Sequence, residues 1–145
     1  MRISTKGRYA LRMMVDLAEH REEGFIALKD IAERQGISKK YLEQIVPIFN
    51  QSDLLRANRG SQGGYMLAKS PAKCTVKEIL TLTEGSLAPV ACIDRGTVEC
   101  ERSADCPTLP VWQGLSRVIN DYLEKVTLQD LVDQKREKDT FDYVI

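Results

Sequence analysis

Hydrophobic positions recur at three- and four-residue steps through the first third of the chain, and this pattern predicts three helices. Ala10, Met13, Met14, Leu17 and Ala18 define an amphipathic first helix within residues 1–20, with Thr5 as its candidate cap. Glu22 to Gly24 reads as a polar turn, and Phe25 to Ala27 as a short edge segment leading into a second pattern, Leu28, Ile31 and Ala32. Gly36 breaks that pattern, and Ser38 caps a third through Leu42, Ile45 and Val46. Helix, tight turn, helix is the result. Pro47 lacks an amide N–H, so it should bend or shorten the far half of the last helix and leave its first turns intact.

Beyond Asp53 the period changes. Two short alternating runs, Leu54 to Ala57 and Tyr65 to Leu67, flank Arg59-Gly60-Ser61-Gln62-Gly63-Gly64, and together they predict a β-hairpin with a flexible tip. An ordinary αα-hairpin would explain the helical pair alone; a hairpin beside it makes residues 1–70 a winged helix-turn-helix domain. The fold class expected is mainly α with this small β-hairpin wing, followed by a long C-terminal dimerisation helix.

Ser70-Pro71-Ala72-Lys73 reads as a linker, and Thr75 with Glu78 as a capping box that opens a helix through Leu82, ended by Gly85. Residues 71–90 thus form a connecting helix. From Ala91 to Pro107 aliphatic residues are few and charges many, so something other than packing must order the segment, or it stays mobile. In residues 108–145, Trp112, Leu115, Ile119, Tyr122 and Val126 follow helical spacing, with Val118 and Leu123 widening the stripe. A helix of ~22 Å follows at ~1.5 Å per residue. Its stripe is too broad for one wing domain to cover, which points to packing against a second copy; packing within its own chain is the competing reading. Thr127 with Asp130 caps a short last helix, Leu128 to Val132. Lys135 to Asp139 reads as a charged tail, and Phe141, Tyr143 and Ile145 as material for a closing strand or for no element at all.

Composition narrows the class. The chain has 145 residues, 43% hydrophobic and 29% charged, the balance of an ordinary folded domain. No apolar run approaches the ~20 residues of a membrane-spanning helix, and no signal-peptide core opens the chain, so a cytoplasmic protein without a membrane partner is expected. The net charge of +0 hides a division: residues 1–70 carry 12 Lys and Arg against 8 Asp and Glu, residues 71–145 carry 9 against 13. The basic half is the winged half, the polarity expected where one end meets phosphate.

The residues at the predicted reading end suit double-stranded DNA. Ser38, Lys39, Lys40, Tyr41, Glu43 and Gln44 occupy the first turns of the helix that would enter the major groove. Lysines there contact phosphate or guanine, glutamine pairs with adenine, and glutamate accepts from cytosine while repelling phosphates in a wrong register. At the wing tip Gly60 permits close approach and Arg59 suits a narrow minor groove. Arg2, Lys6, Arg8 and Arg12 crowd the start of the first helix, where they offer further phosphate contacts or a merely soluble face.

Enzymatic chemistry has little to use. There is one histidine, His20, no nucleophile-base pair, and a Gly60 to Gly64 cluster that joins two strands and opens no helix, unlike a dinucleotide fingerprint. Four cysteines in a cytoplasmic chain argue against structural disulfides. Cys74, among small residues before a helix, reads as a packed, inert thiol. Cys92, Cys100 and Cys106 follow C-x7-C-x5-C within one loop flanked by Asp94, Glu99, Glu101 and Asp105. Three converging thiolates need a metal centre, and steps wider than zinc knuckles suit an iron-sulfur cluster. A thiol-disulfide sensor and unremarkable free thiols are the alternatives.

The stretches Met1 to Ala10, Ile31 to Ser38, Tyr41 to Gln44, Arg59-Gly60 and Gly63-Gly64-Tyr65, continuing through Trp112 and Thr127-Leu128, resemble the IscR-like winged-helix regulators of bacteria. The resemblance implies a homodimeric transcription factor, mainly a repressor of iron-sulfur cluster assembly genes, on a palindromic operator. It implies a 2Fe-2S cluster on Cys92, Cys100 and Cys106, and DNA contacts from Lys40, Tyr41, Glu43, Gln44 and Arg59. Two departures stand out: Leu109 occupies the position where such regulators carry a histidine as fourth ligand, and the first cysteine interval is longer than usual. Lys40 also adds a second charge where the best-known member has a small hydroxyl. Relatives of this kind include nitric-oxide sensors and cluster-free repressors of cysteine metabolism, the latter usually without the cysteine trio. A metal or redox protein without DNA binding would explain the cysteines but leave Ser38 to Gln44 and Arg59 without purpose.

Overall fold

The computed structural model describes residues 1–96 and 101–144, and it is mainly helical with one antiparallel hairpin. Helix α1 spans Thr5–Glu19, α2 spans Leu28–Gln35 and α3 spans Lys39–Phe49. Strands β1 (Leu55–Asn58) and β2 (Gly64–Leu67) pair with Leu55 opposite Leu67 and Asn58 opposite Gly64. Helix α4 spans Val76–Glu84, a 3-10 segment Ala91–Gly96 follows, and α5 (Leu109–Lys125) and α6 (Leu128–Val144) close the chain.

Local chemistry explains most boundaries. The cap of α1 is Ser4, one residue before the predicted Thr5, because its side chain accepts the Gly7 amide at 3.0 Å. Gly36 ends α2 in the left-handed region at φ 63, and Ser38 starts α3 by accepting the Tyr41 amide at 3.0 Å. Pro47 neither breaks nor visibly shortens α3, which runs to Phe49. Its side is solvent-facing and only two residues follow it, so the amide it lacks costs one exposed hydrogen bond. The capping box of α4 forms in full, with the Thr75 hydroxyl accepting the Glu78 amide at 3.1 Å.

One core cluster joins the three N-terminal helices, the hairpin and the start of α6. Met13, Met14, Leu17, Ile31, Leu42, Ile45, Phe49, Leu54, Leu67, Ile79, Leu128 and Val132 are its largest fully buried members. Each such side chain contributes about 1.5–3 kcal/mol of burial. The wing is attached to this core through Ile26, whose amide and carbonyl exchange 2.8 Å hydrogen bonds with Tyr65. Gly64 makes that approach possible, since a Cβ there would lie 2.2 Å from the Ile26 carbonyl oxygen.

Two predicted C-terminal features are corrected. The last helix does not stop at Val132: α6 continues through Lys135 to Asp139 and Phe141, which form neither a tail nor a strand. Lys, Arg, Glu and Gln are good helix formers, and Lys135 pairs with Glu19 of α1 at 2.9 Å. Ile145 lies outside the described residues. The segment after Ala91 is also partly ordered, because Ile93 is buried and pins the 3-10 turn.

A smaller cluster of Val76, Leu80 and Leu87 packs against Ile3, Leu123 and Val126 and covers one side of α5. The other side is bare. Val111, Leu115, Val118 and Tyr122 are 41–65% exposed, and no residue of α5 is buried.

Candidate nucleic-acid interface and cysteine loop

Burial divides α3 cleanly. Leu42, Ile45, Val46 and Phe49 face the core, whereas Lys39, Lys40, Glu43 and Gln44 project into solvent as one patch. Ser38 is exposed but its hydroxyl is engaged as the cap, which leaves the other first-turn amides of α3 pointing outward. That end carries partial positive charge, and two lysines stand beside it. Lys39 and Glu43 approach to 3.9 Å in an exposed pair, an interaction weak enough to exchange for other partners.

Tyr41 sits differently. It is half-buried and meets the Tyr9 ring edge-on, with centroids 5.4 Å apart at 76°. The Arg12 guanidinium lies 5.5 Å from the Tyr9 ring centre and donates to the Gln35 carbonyl at the end of α2. Tyr41 is thus tethered to α1 as well as placed beside the reading face. Pattern reasoning does not single out Tyr9 for this role; only the spatial crossing of α1 and α3 reveals it.

At the wing, Arg59 and Gly60 form an exposed tip, with Gly60 at φ 112 and its carbonyl accepting the Gly63 amide at 3.0 Å. Arg56, on the exposed side of β1, is a further cation that sequence analysis passed over; its signal was its outward phase on the strand. Arg2 is exposed on the arm before α1.

The cysteines separate by environment. Cys74 is fully buried in the core, its thiol donates to the Lys69 carbonyl at 3.8 Å, and burial pushes its pKa up to about 11. Cys92, in the 3-10 turn, and Cys106, just before α5, are each half-exposed free thiols. The Thr108 hydroxyl, 3.3 Å from the Cys106 sulfur, holds that thiol below its ordinary pKa. Cys100 and Glu99 lie outside the described residues, and among the described residues no group of three His, Cys, Asp or Glu side chains converges. Leu109 begins α5 and brings no donor atom. His20 ends α1, where its ring pairs with Glu23. In donor chemistry, two accessible thiols, one of them acidified, fit a thiolate-bound centre; the buried Cys74 does not.

Among the described residues no helix is long and apolar enough to cross a membrane. The profile of the Rrf2 family, described as "Iron-dependent Transcriptional regulator", matches residues 3–134. An HTH-type transcriptional regulator of Neisseria meningitidis is 39% identical over 139 residues, covering 96% of this chain and 93% of its own. The HTH-type transcriptional regulator IscR of Pectobacterium carotovorum is 39% identical over 142 residues, covering 98% and 85%. Among solved structures, CymR, the global cysteine regulator of B. subtilis, superposes with a TM-score of 0.78 at 34% identity, covering 92% of this chain and 98% of that one. IscR of T. potens gives 0.76 at 37% identity, covering 95% and 90%. These relatives are regulators, not enzymes. The match runs from the arm before α1 into α6, and the chain belongs to the Rrf2 family of DNA-binding transcriptional regulators.

Proposed function

We propose that the chain is an IscR-like homodimeric repressor that reads a palindromic operator and senses iron-sulfur status through a 2Fe-2S cluster on Cys92, Cys100 and Cys106. The observation that carries this reading is the segregation of the thiols: Cys92 and Cys106 are accessible at the two ends of one loop and Cys106 is acidified, while Cys74 is buried and held as the neutral thiol. When bound, a cluster supplies iron-thiolate bonds that hold the loop together and that oxidants or nitric oxide can break. The fourth donor comes from a loop carboxylate, the second copy or an exogenous thiol, because Leu109 has none to give.

On the DNA side, Lys39, Lys40, Glu43 and Gln44 face base edges and phosphates, with Ser38 keeping the helix end ordered. Arg59 and Gly60 meet the adjacent minor groove, and Arg2 supplies a phosphate contact at the first helix. Tyr41 contributes through its hydroxyl edge while Tyr9 holds its ring. The target genes of this reading are those of iron-sulfur cluster assembly.

A second reading is a cysteine-metabolism regulator acting without a cluster. It is favoured by Leu109 at the fourth-ligand position and by the likeness to the CymR structure. Iron and acid-labile sulfide analysis of protein purified without oxygen separates the two. About two irons and two sulfides per chain, lost in a Cys92→Ala, Cys100→Ala, Cys106→Ala variant, support the cluster. Colourless wild-type protein after anaerobic reconstitution sinks it and leaves the cluster-free reading.

A further inference from the structure

We propose that Glu84 is a positioning residue that ties the N-terminal arm to the cysteine loop, so that a chemical change at the loop thiols is felt at Arg2 and the start of α1. Its purpose rests on the sensor reading above; its geometry does not.

Glu84 is the last residue of α4. One carboxylate oxygen accepts the Ser4 amide and the other accepts the Ser4 hydroxyl at 2.8 Å. The same hydroxyl caps α1 by accepting the Gly7 amide at 3.0 Å, so a single short chain of hydrogen bonds runs from α4 into the first turn of α1. Gly7 leaves room for it, since a Cβ there would stand 2.9 Å from the Glu84 oxygen. An anion at the C-terminus of α4 opposes the dipole of its own helix, but at the N-terminus of α1 it is favourable. The first turn of α1 contains no acidic residue. Electrostatics therefore assigns this carboxylate to α1, across 80 residues of chain.

On its other side Glu84 leads directly to the loop. Gly85 turns the backbone at φ 77, Leu87 is buried against Val76 and Leu80, and Cys92 follows in the 3-10 turn. A cavity of about 270 Å³, lined by Arg2, Ile3, Glu84, Ser86, Leu87 and Tyr122, lies between the arm, the end of α4 and α5, and Gly85 to Ala88 line a second cavity with Ile93 of the 3-10 turn. Ile3 packs against the Val76, Leu80 and Leu87 cluster beside that space, and the Glu84-Ser4 clasp is the polar connection along its wall. When the loop backbone shifts, the carboxylate moves with α4's last turn and the cap of α1 loosens.

Hydrogen exchange on the full, metal-free, reduced chain tests this before and after iodoacetamide treatment of the accessible thiols. In wild type, modification should speed exchange in residues 1–9 at least about fivefold, leaving residues 39–49 unchanged. Glu84→Ala should exchange fast at 1–9 in both states, with no further response. Glu84→Gln keeps an acceptor for the Ser4 amide, and it should preserve the fold and part of the response. Wild type whose residues 1–9 ignore modification, or Glu84→Ala that responds as wild type does, overturns the proposal. An iron-free protein with a full response leaves the clasp standing while the cluster reading falls; an iron-loaded protein without one does the reverse.

Discussion

The Arg34 guanidinium grips the Asp16 carboxylate with two parallel hydrogen bonds, Nε to Oδ2 at 3.0 Å and Nη2 to Oδ1 at 2.7 Å. Asp16 is 1% exposed, and Gln35 donates a third bond at 2.9 Å. The hydrogen bond to Asp16 raises the Arg34 pKa above its ordinary value. The pair joins the middle of α1 to the last turn of α2, just ahead of Gly36, and so fixes the angle at which α3 leaves the turn.

Removing Asp16 should therefore cost more than a surface contact. Asp16→Ala strips a buried, triply bonded anion and leaves Arg34 to rehydrate through its exposed edge, a loss of about 3 kcal/mol. Urea unfolding measures it. Asp16→Asn, which keeps volume and some hydrogen bonds, should lose less.

Cys74 predicts an alkaline weakness. Its folded pKa is raised from 9.0 to about 11, so above pH 9 the unfolded chain gives up this proton while the folded chain retains it. The stability linked to this thiol is fully present below pH 9 and falls as pH rises towards 11, by about 2 kcal/mol. Cys74→Ala should flatten the pH slope of stability in that window, whatever it does to stability at pH 7.

Thiol labelling at neutral pH should follow the same ordering. Cys106, acidified by Thr108 and half-exposed, reacts first, and Thr108→Val slows it by removing the hydroxyl donor. Cys74 resists until the chain unfolds. Mass spectrometry of tryptic peptides at timed intervals reads both rates.

At the DNA face, Arg59→Ala should weaken binding and lower the salt slope by about 1, the signature of one phosphate-directed cation. Lys40→Ala should act alike. Glu43→Ala should instead relax discrimination between operator variants, with the salt slope barely changed, because a glutamate rejects wrong registers more than it attracts. Fluorescence anisotropy across a salt series separates these outcomes.

The winged fold was legible because its signals are local: Ser38 as cap, Gly36 as stop, the Thr75 and Glu78 box, and the change of period at Leu54. What escaped was set by contacts distant in sequence. Ser4 takes the cap of α1 from Thr5 in company with Glu84, and Tyr9 meets Tyr41 only because two helices cross. The charged run from Lys135 to Asp139 read as a tail because nothing in it is apolar, yet its helix propensity and Lys135 with Glu19 continue α6. At the loop, spacing named the thiols, but the Thr108 hydroxyl that acidifies Cys106 carries no motif.

The bare side of α5 supports the sharpest test of assembly. Val111, Leu115, Val118 and Tyr122 lie at steps of four, three and four and are 59%, 41%, 65% and 65% exposed, one apolar ridge left uncovered along the helix. In a two-fold dimer each ridge meets its own copy, so a charge placed there is buried opposite its twin and is penalised twice, by desolvation and by repulsion. Val118→Glu should leave the circular dichroism of the chain unchanged, because Val118 is 65% exposed in its own protomer. Sedimentation should show dimeric wild type at micromolar concentration and a monomeric variant, a weakening of at least about 100-fold for a lost apolar seam. On an operator with half-sites ~34 Å apart, the variant should bind each half independently and lose the affinity that joint occupancy confers. A Val118→Glu protein that still sediments as a dimer would place the seam away from α5.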